Sequence, residues 1–333
     1  MKSLKKILVL CLILAMVFAM AACGKKDEPK GDVEYPTKEI RLLVPYKAGG
    51  NSDIQSRKLA EIIDKYNLAN GYQVVVSNIN GSATQECFNA MMKADPDGYT
   101  LINQHNAILT QPAFGNVTFD MEDVAAVCEV MEQPFMIFAD GDAPYSTTQE
   151  LVDYCKAHPD EKITFGVPGV GSSGQMGIEI YLDQLGIRDN MKFIIYTSGG
   201  ESLTGHLGKE CVIHGGFASD GMRYVETGDL KVLAVSGQTR VAALPNTECF
   251  GELGFKTDYM TYQGIWATKG TPEEVINKIA DIFKAACATP EWQQYCDEQG
   301  CINVYAGPQE WHDLMADLNV VIVDLVKRLG LAG

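Results

Sequence analysis

Short apolar runs alternate with amphipathic stretches along most of the chain. Residues 40–45 (IRLLVP), 73–77 (QVVVS) and 99–103 read as strands. Between the first two, Ile54, Leu59, Ile62 and Ile63 recur at near-helical spacing, which predicts a helix over 52–66 with Asn51 or Ser52 as its cap. A second helix is expected over 84–93. This βαβαβ opening predicts a largely parallel sheet with helices on both faces. Beyond Gly115 the alternation resumes, with strands expected at 135–139, 163–167, 193–196, 211–217 and 230–236. Helices are expected at 147–157 (started by Ser146), 175–185 and 202–209. The last third offers one strand-like piece, 264–268, and helices near 272–288 and 308–329. No solenoid repeat is present, so the pattern predicts an α/β protein of two lobes with the chain crossing between them.

Length agrees with that division. At 333 residues, 46% of them hydrophobic, the chain exceeds what one core usually serves and is too apolar to be disordered. The formal net charge of −16 repels polyanions, which excludes nucleic acid as a partner. The N-terminus is different. Lys2, Lys5 and Lys6 precede an uninterrupted apolar run of 14 residues, Ile7 to Met20, too short to span a bilayer comfortably. It reads as a secretory signal. The run ends in Met20-Ala21-Ala22-Cys23, which resembles a lipoprotein cleavage site, so residues 1–22 are expected to be removed and Cys23 to carry lipid; a plain secretory signal is the alternative. Residues 23–35 lack periodicity and suit a flexible tether. Losing three lysines with the signal makes the body more acidic still. Of ten cysteines, eight follow Cys23 without any CxxC spacing, which fits either disulfides outside the cell or small buried side chains.

Three glycine-rich loops carry the candidate chemistry. The first, Tyr46-Lys47-Ala48-Gly49-Gly50-Asn51-Ser52-Asp53, joins a strand to a helix start. Its glycines let a ligand approach the backbone, and the free N–H groups of the first helical turn favour an anion, although paired glycines also serve a plain tight turn. The second, Pro168 to Gly174, holds a GxGxxG pattern at Gly169, Gly171 and Gly174. A dinucleotide site would need an acidic residue at the end of the next strand, and that strand ends in Tyr196-Thr197. What remains is another helix N-terminus with Ser172 and Ser173 beside it. The third loop, Tyr196 to Ser202 with Gly199 and Gly200, repeats the arrangement. Three such loops from different strands converge at the carboxyl edges of the sheets, where open α/β folds bind ligands. No GxSxG, HExxH or metal-ligand spacing of histidines occurs, and Asp53 with Arg57 reads as an ion pair. A binding protein without metal or cofactor fits better than an enzyme.

The order of these motifs resembles a known family. Tyr35-Pro36-Thr37-Lys38-Glu39-Ile40-Arg41-Leu42-Leu43-Val44-Pro45-Tyr46, then Gly49-Gly50 and Asp53, Asp95-Pro96-Asp97-Gly98-Tyr99, Gly169 to Ser173, Tyr196 with Gly199-Gly200-Glu201, and Leu230 to Ser236 resemble the substrate-binding receptors of tripartite tricarboxylate transporters, or Bug receptors. The resemblance implies a two-lobed, type II periplasmic-binding-protein-like fold, with 36–133 and 247–333 in one lobe and 134–246 in the other. It implies a monomeric extracytoplasmic receptor that closes on a small di- or tricarboxylate, or related organic acid, and delivers it to membrane permease subunits; presentation to a sensor kinase is the alternative. Carried over by position, the ligand contacts would be Tyr46, Gly49, Gly50, Asn51, Ser52, Asp53, Ser82, Thr84, Gly171, Ser172, Ser173, Tyr196, Gly199 and Gly200. Two segments depart from the family pattern. Lys47-Ala48 stands where proline is usual, and Asn78 to Thr84 lacks the Arg-Pro and glycine pair, so the contacts of Ser82 and Thr84 cannot simply be copied.

Overall fold

The nine predicted strands and one that was not predicted, at 124–133, assemble into two five-stranded sheets of like design. In the computed structural model, which describes residues 33–241, 244–256 and 259–332, the first sheet contains β1 (Ile40–Val44), β2 (Val74–Asn78), β3 (Thr100–His105), β4 (Val124–Gln133) and β10 (Thr261–Thr268), in the order β2-β1-β3-β10-β4. The second contains β5 (Met136–Asp140), β6 (Ile163–Val167), β7 (Met191–Ile195), β8 (Ile213–Gly216) and β9 (Leu230–Val235), in the order β7-β6-β8-β5-β9. The parallel expectation needs one amendment. In each sheet the fourth strand in order is reversed: β10 is antiparallel to both β3 and β4, and β5 to both β8 and β9. These are the first strands the chain forms on arriving from the other sheet, so each enters from the opposite edge. The signal, lipidation and most of the tether expected before residue 33 lie outside the described residues. A single compact unit begins at Tyr35.

Helices cover both sheets. They are α1 (Asn51–Lys65), α2 (Gln85–Met92), α3 (Ala107–Ala113), α4 (Thr148–Ala157), α5 (Ser173–Leu185), α6 (Gly199–Leu207), α7 (Ala218–Glu226), α8 (Glu273–Cys287), α9 (Pro290–Gln299) and α10 (Pro308–Leu329). Helix α1 buries Leu59, Ile62 and Ile63 against the sheet, but Ile54 faces solvent and the cap is Gly50 rather than Asn51 or Ser52. Thr147, not Ser146, caps α4. All three tryptophans, Trp266, Trp292 and Trp311, are fully buried in the first sheet's cores. The eight cysteines of the body are free and buried as small apolar side chains. No helix among the described residues is long and apolar enough to cross a membrane.

One helix bridges the sheets. Helix α5 follows β6, yet Met176 and Ile180 pack with Ile108, Leu109 and Tyr259 in a core of the first sheet. Thr110 donates its hydroxyl to Gly171 O (2.7 Å) and Tyr259 to Ser173 O (2.9 Å), fastening the start of α5 to the first sheet. Arg328 of α10 pairs with Asp183 near its other end at 2.9 Å.

Strand β4 buries one carboxyl that has pH consequences. Glu129 is 2% exposed, and burial, helped by the neighbouring Glu132 charge, pushes its pKa up to about 8. A raised carboxyl pKa gives stability that is complete below the unfolded value and lost as pH rises through the folded one. Here the loss spans roughly pH 4.5 to 8. Glu129→Gln is therefore expected to match the parent near pH 4.5 and to exceed it in denaturant midpoint at pH 8. Equal midpoints at pH 8 would show that Glu129 is not protonated in the folded state.

Candidate functional site

The carboxyl ends of the parallel strands in both sheets face one cavity of about 520 Å³. Reversal of β10 brings its first residues, Thr261 and Gln263, to the same edge as His105 at the end of β3 and Gln133 at the end of β4. Phe135, just before β5, and Gly215 and Gly216, at the end of β8, complete the floor. Phe135 needs its glycines: a Cβ at Gly215 would lie 2.2 Å from its ring, and one at Gly177 2.9 Å.

Helix starts form the walls. The first turn of α1, with Gly49, Gly50, Asn51 and Ser52, lines one side. Ser172, Ser173 and Gly174 at α5, and Ser198, Gly199 and Gly200 at α6, line the other, with Phe217 and Asp220 at α7 behind them. Helix α1 carries no side-chain cap, which leaves its first N–H groups available, whereas Ser172 and Ser198 accept bonds from Gln175 N and Glu201 N. The Ser172 hydroxyl is doubly committed, since it also donates to Gly169 O at 2.9 Å. At α7 the Asp220 carboxylate accepts from Phe217 N at 3.1 Å, so that helix caps itself.

Charge is scarce inside. Among the described lining residues there is no lysine or arginine. Tyr46 donates its hydroxyl to Gln104 Oε1 (2.8 Å), and its oxygen lies 2.8 Å from His105 Nε2. Ala107 N donates to His105 Nδ1, so the ring is a neutral Nε2–H tautomer, and burial lowers its pKa to about 4. Burial also raises the Asp220 carboxyl, although its bond from Phe217 N works the other way. The cavity therefore presents dipoles rather than cations: helix N–H groups, glutamine amides and hydroxyls.

Nine of the fourteen positions expected to touch ligand line this cavity: Tyr46, Gly49, Gly50, Asn51, Ser52, Ser172, Ser173, Gly199 and Gly200. The other five lie outside its lining. Asp53 is folded beneath the first loop, where its carboxylate accepts from Gly49 N (2.9 Å) and Asn78 Nδ2 (2.9 Å) and pairs with Arg57 (2.9 Å). Burial raises its pKa, but these donors outweigh it and hold the carboxyl below the usual range. It supports the loop, and the expected ion pair with Arg57 is present. Gly171 faces the seam between the sheets, where a Cβ would meet Asn116 Nδ2 at 2.5 Å. Tyr196 turns inward under Gly205 and donates to Glu210 at 3.0 Å. Ser82 donates to Glu86, and Thr84 is buried beneath a turn whose Ser82, Ala83 and Thr84 all have positive φ. Lys47 is exposed and outside the lining.

Sequence reasoning missed Gln55, His105, Gln111, Gln133, Thr261 and Gln263, which also line the cavity. Gln55 alone had a readable signal, being one turn beyond Asn51 on the same helix. Among the described residues no cluster of histidine, cysteine or acidic side chains could hold a metal.

Two five-stranded sheets with strand ends and helix starts converging on a half-open cleft, with no lysine or arginine among its described lining residues, have the architecture of a solute-binding receptor of the periplasmic type. The chain belongs to the tripartite tricarboxylate transporter receptor family: the model described as "Tripartite tricarboxylate transporter family receptor" matches residues 56–331. It is thus an extracytoplasmic receptor and not an enzyme. A Cupriavidus necator protein, described as "UPF0065 protein in gbd 5'region", is 27% identical over 96% of both chains. The structure of the periplasmic binding protein BugD is similar at a TM-score of 0.74 and 26% identity, covering 90% of this chain and 99% of that one. An R. palustris protein solved with adipate shares the fold at a TM-score of 0.76 and 20% identity, over 90% and 99% of the two chains.

Proposed function

We propose that this receptor captures a small carboxylate in the cleft between its sheets and delivers it to membrane permease subunits. The observation that carries the reading is the convergence of the α1, α5 and α6 starts on a cavity with no side-chain cation among its described lining residues. Each helix N-terminus favours an anion by about 0.3 to 1 kcal/mol when exposed and up to ~2 kcal/mol when partly buried. Three together supply about 1 to 6 kcal/mol toward the roughly 8 kcal/mol of micromolar binding, and hydrogen bonds must supply the rest. Adipate in a neighbour of the same fold is consistent with such a ligand. The nine lining positions named above are the proposed contacts, and Asp53, Gly171 and Tyr196 hold the loops that carry them.

Closure would accompany binding, because an anion shared between two walls binds the closed form better. The moving bodies would be 36–133 with 247–333, and 134–246. Since Thr110 and Tyr259 already tie the start of α5 to the first sheet, the motion would fall mainly on the α6 and α7 side. Lipid at Cys23 would keep the receptor at the outer face of the membrane, and Cys23→Ser should abolish incorporation of labelled fatty acid into the protein. The ligand test uses purified residues 24–333, thermal unfolding against a panel of carboxylates, and small-angle scattering. A ligand at 100 times its Kd should add about 2.7 kcal/mol and contract the particle. If no carboxylate raises the melting point, the reading is wrong; if one does so without contraction, closure is.

A further inference from the structure

The floor of the cavity holds a polar row that the helix starts do not explain. Gln263 donates its amide to Asn103 Oδ1 (2.7 Å), and Asn103 donates to Ser56 Oγ (2.7 Å) and to Gln55 Oε1 (3.3 Å). This relay orients every amide in it, because each carbonyl must face the donor before it. Its end is a free donor: Gln55 Nε2 is buried with no partner in the protein. Two residues before Gln263, on the same face of β10, Thr261 Oγ1 is likewise buried and unpartnered. Gln55 is 1% exposed and Thr261 4%, and both line the cavity. Two unsatisfied polar groups this deep are costly unless something in the cavity meets them.

We propose that Gln55 and Thr261 form a neutral subsite that takes an uncharged oxygen of the ligand, so that the receptor selects carboxylates bearing a hydroxyl, amide or other neutral oxygen beyond the carboxylate. The inference rests on the carboxylate reading above. Its argument is charge. A neutral oxygen can accept from a Gln55 N–H and from the Thr261 hydroxyl without adding charge, whereas a second ionised carboxylate would bring a further charge into a cavity with no side-chain counter-charge among its described lining residues. The cavity also contains Asp220, and no lysine or arginine among its described lining residues.

A matched series tests this. For chains of three to six carbons, calorimetry on residues 24–333 would compare carboxylates ending in methyl, hydroxymethyl, amide or a second carboxylate. The hydroxyl or amide end is expected to bind at least tenfold more tightly than the methyl end at the best length, since a site built to hydrogen-bond an oxygen rejects the analogue lacking it. Dicarboxylates should weaken as pH rises through their second ionisation. Thr261→Val and Gln55→Met should each collapse the hydroxyl-to-methyl ratio, and Thr261→Ser should keep it, with thermal unfolding confirming that each variant is folded. Equal affinity for methyl and hydroxyl ends, or tightest binding of the fully ionised dicarboxylate, overturns the subsite while leaving the carboxylate reading intact. Failure of every carboxylate to bind overturns both.

Discussion

Gly200→Asp is expected to abolish carboxylate binding while leaving the protein folded. Gly200 lies in the first turn of α6 and lines the cavity. A Cβ there meets nothing within 4 Å, and the residue is not among those with positive φ, so a side chain enters without strain. An aspartate in a first helical turn is favourable to the helix by about 0.3 to 1 kcal/mol. The new carboxylate would satisfy the dipole that otherwise attracts the ligand. Two unit charges about 4 Å apart repel by about 4 kcal/mol at an effective dielectric of 20, on the order of a thousandfold in affinity. Gly200→Asn, of the same size without charge, should lose far less. Calorimetry with whichever carboxylate raises the melting point of the parent decides the matter. If the aspartate variant binds as tightly as the asparagine variant, the α6 start is not an anion site.

Trp311→Ala is expected to be the most damaging single core change. Trp311 is fully buried at the start of α10, its ring centroid 5.2 Å from that of Trp266. The ring rests on Gly264 of the reversed strand, where a Cβ would approach it to 2.4 Å. Truncating a buried tryptophan costs about 3 to 5 kcal/mol in lost burial and residual cavity, a fall on the order of 10 °C in melting point for a body of this size. Met176 and Ile180 of α5 belong to the same core. Loosening it should therefore weaken ligand binding as well, through the Ser172–Gly174 wall. A melting point within 2 °C of the parent would contradict this account of the core.

Periodicity located most of the strands and the longer helices, because in those segments burial of one face repeats at 2 or 3.6 residues. It failed at β4, where the run VAAVCEVMEQ carries buried Glu129 and Gln133 among its apolar residues and so shows neither period. It also passed over α9, although Thr289 followed by Pro290 is a cap and first-turn pair, and Thr289 does accept from Trp292 N. Helix α7 was hidden behind Phe217, which caps nothing; the signal was Asp220 three positions on, accepting from Phe217 N.

The three glycine-rich loops were readable without coordinates, since a strand followed by Gly-Gly or Gly-x-Gly-Ser-Ser and then a helix is a local pattern with a local physical cause: unpaired N–H groups and an approachable backbone. Their roles within the loops were not. Whether Ser172 gives its hydroxyl to a ligand or to Gly169 O, and whether Asp53 faces the cleft or braces the loop from beneath, depends on which donors other segments bring near, such as Asn78 from β2. The same holds for the cavity floor. Thr261 and Gln263 reach it because β10 returns antiparallel from the far sheet, and Gln55 is left with a free donor because Asn103 and Gln263 take the rest of the relay. Fold class and the glycine-rich helix starts follow from short-range chemistry along the chain, and the family from the order of its motifs; which side chains line the pocket, and which of their polar groups stay unpaired, follow from pairings between residues as far apart as 103 and 263, which no local pattern encodes.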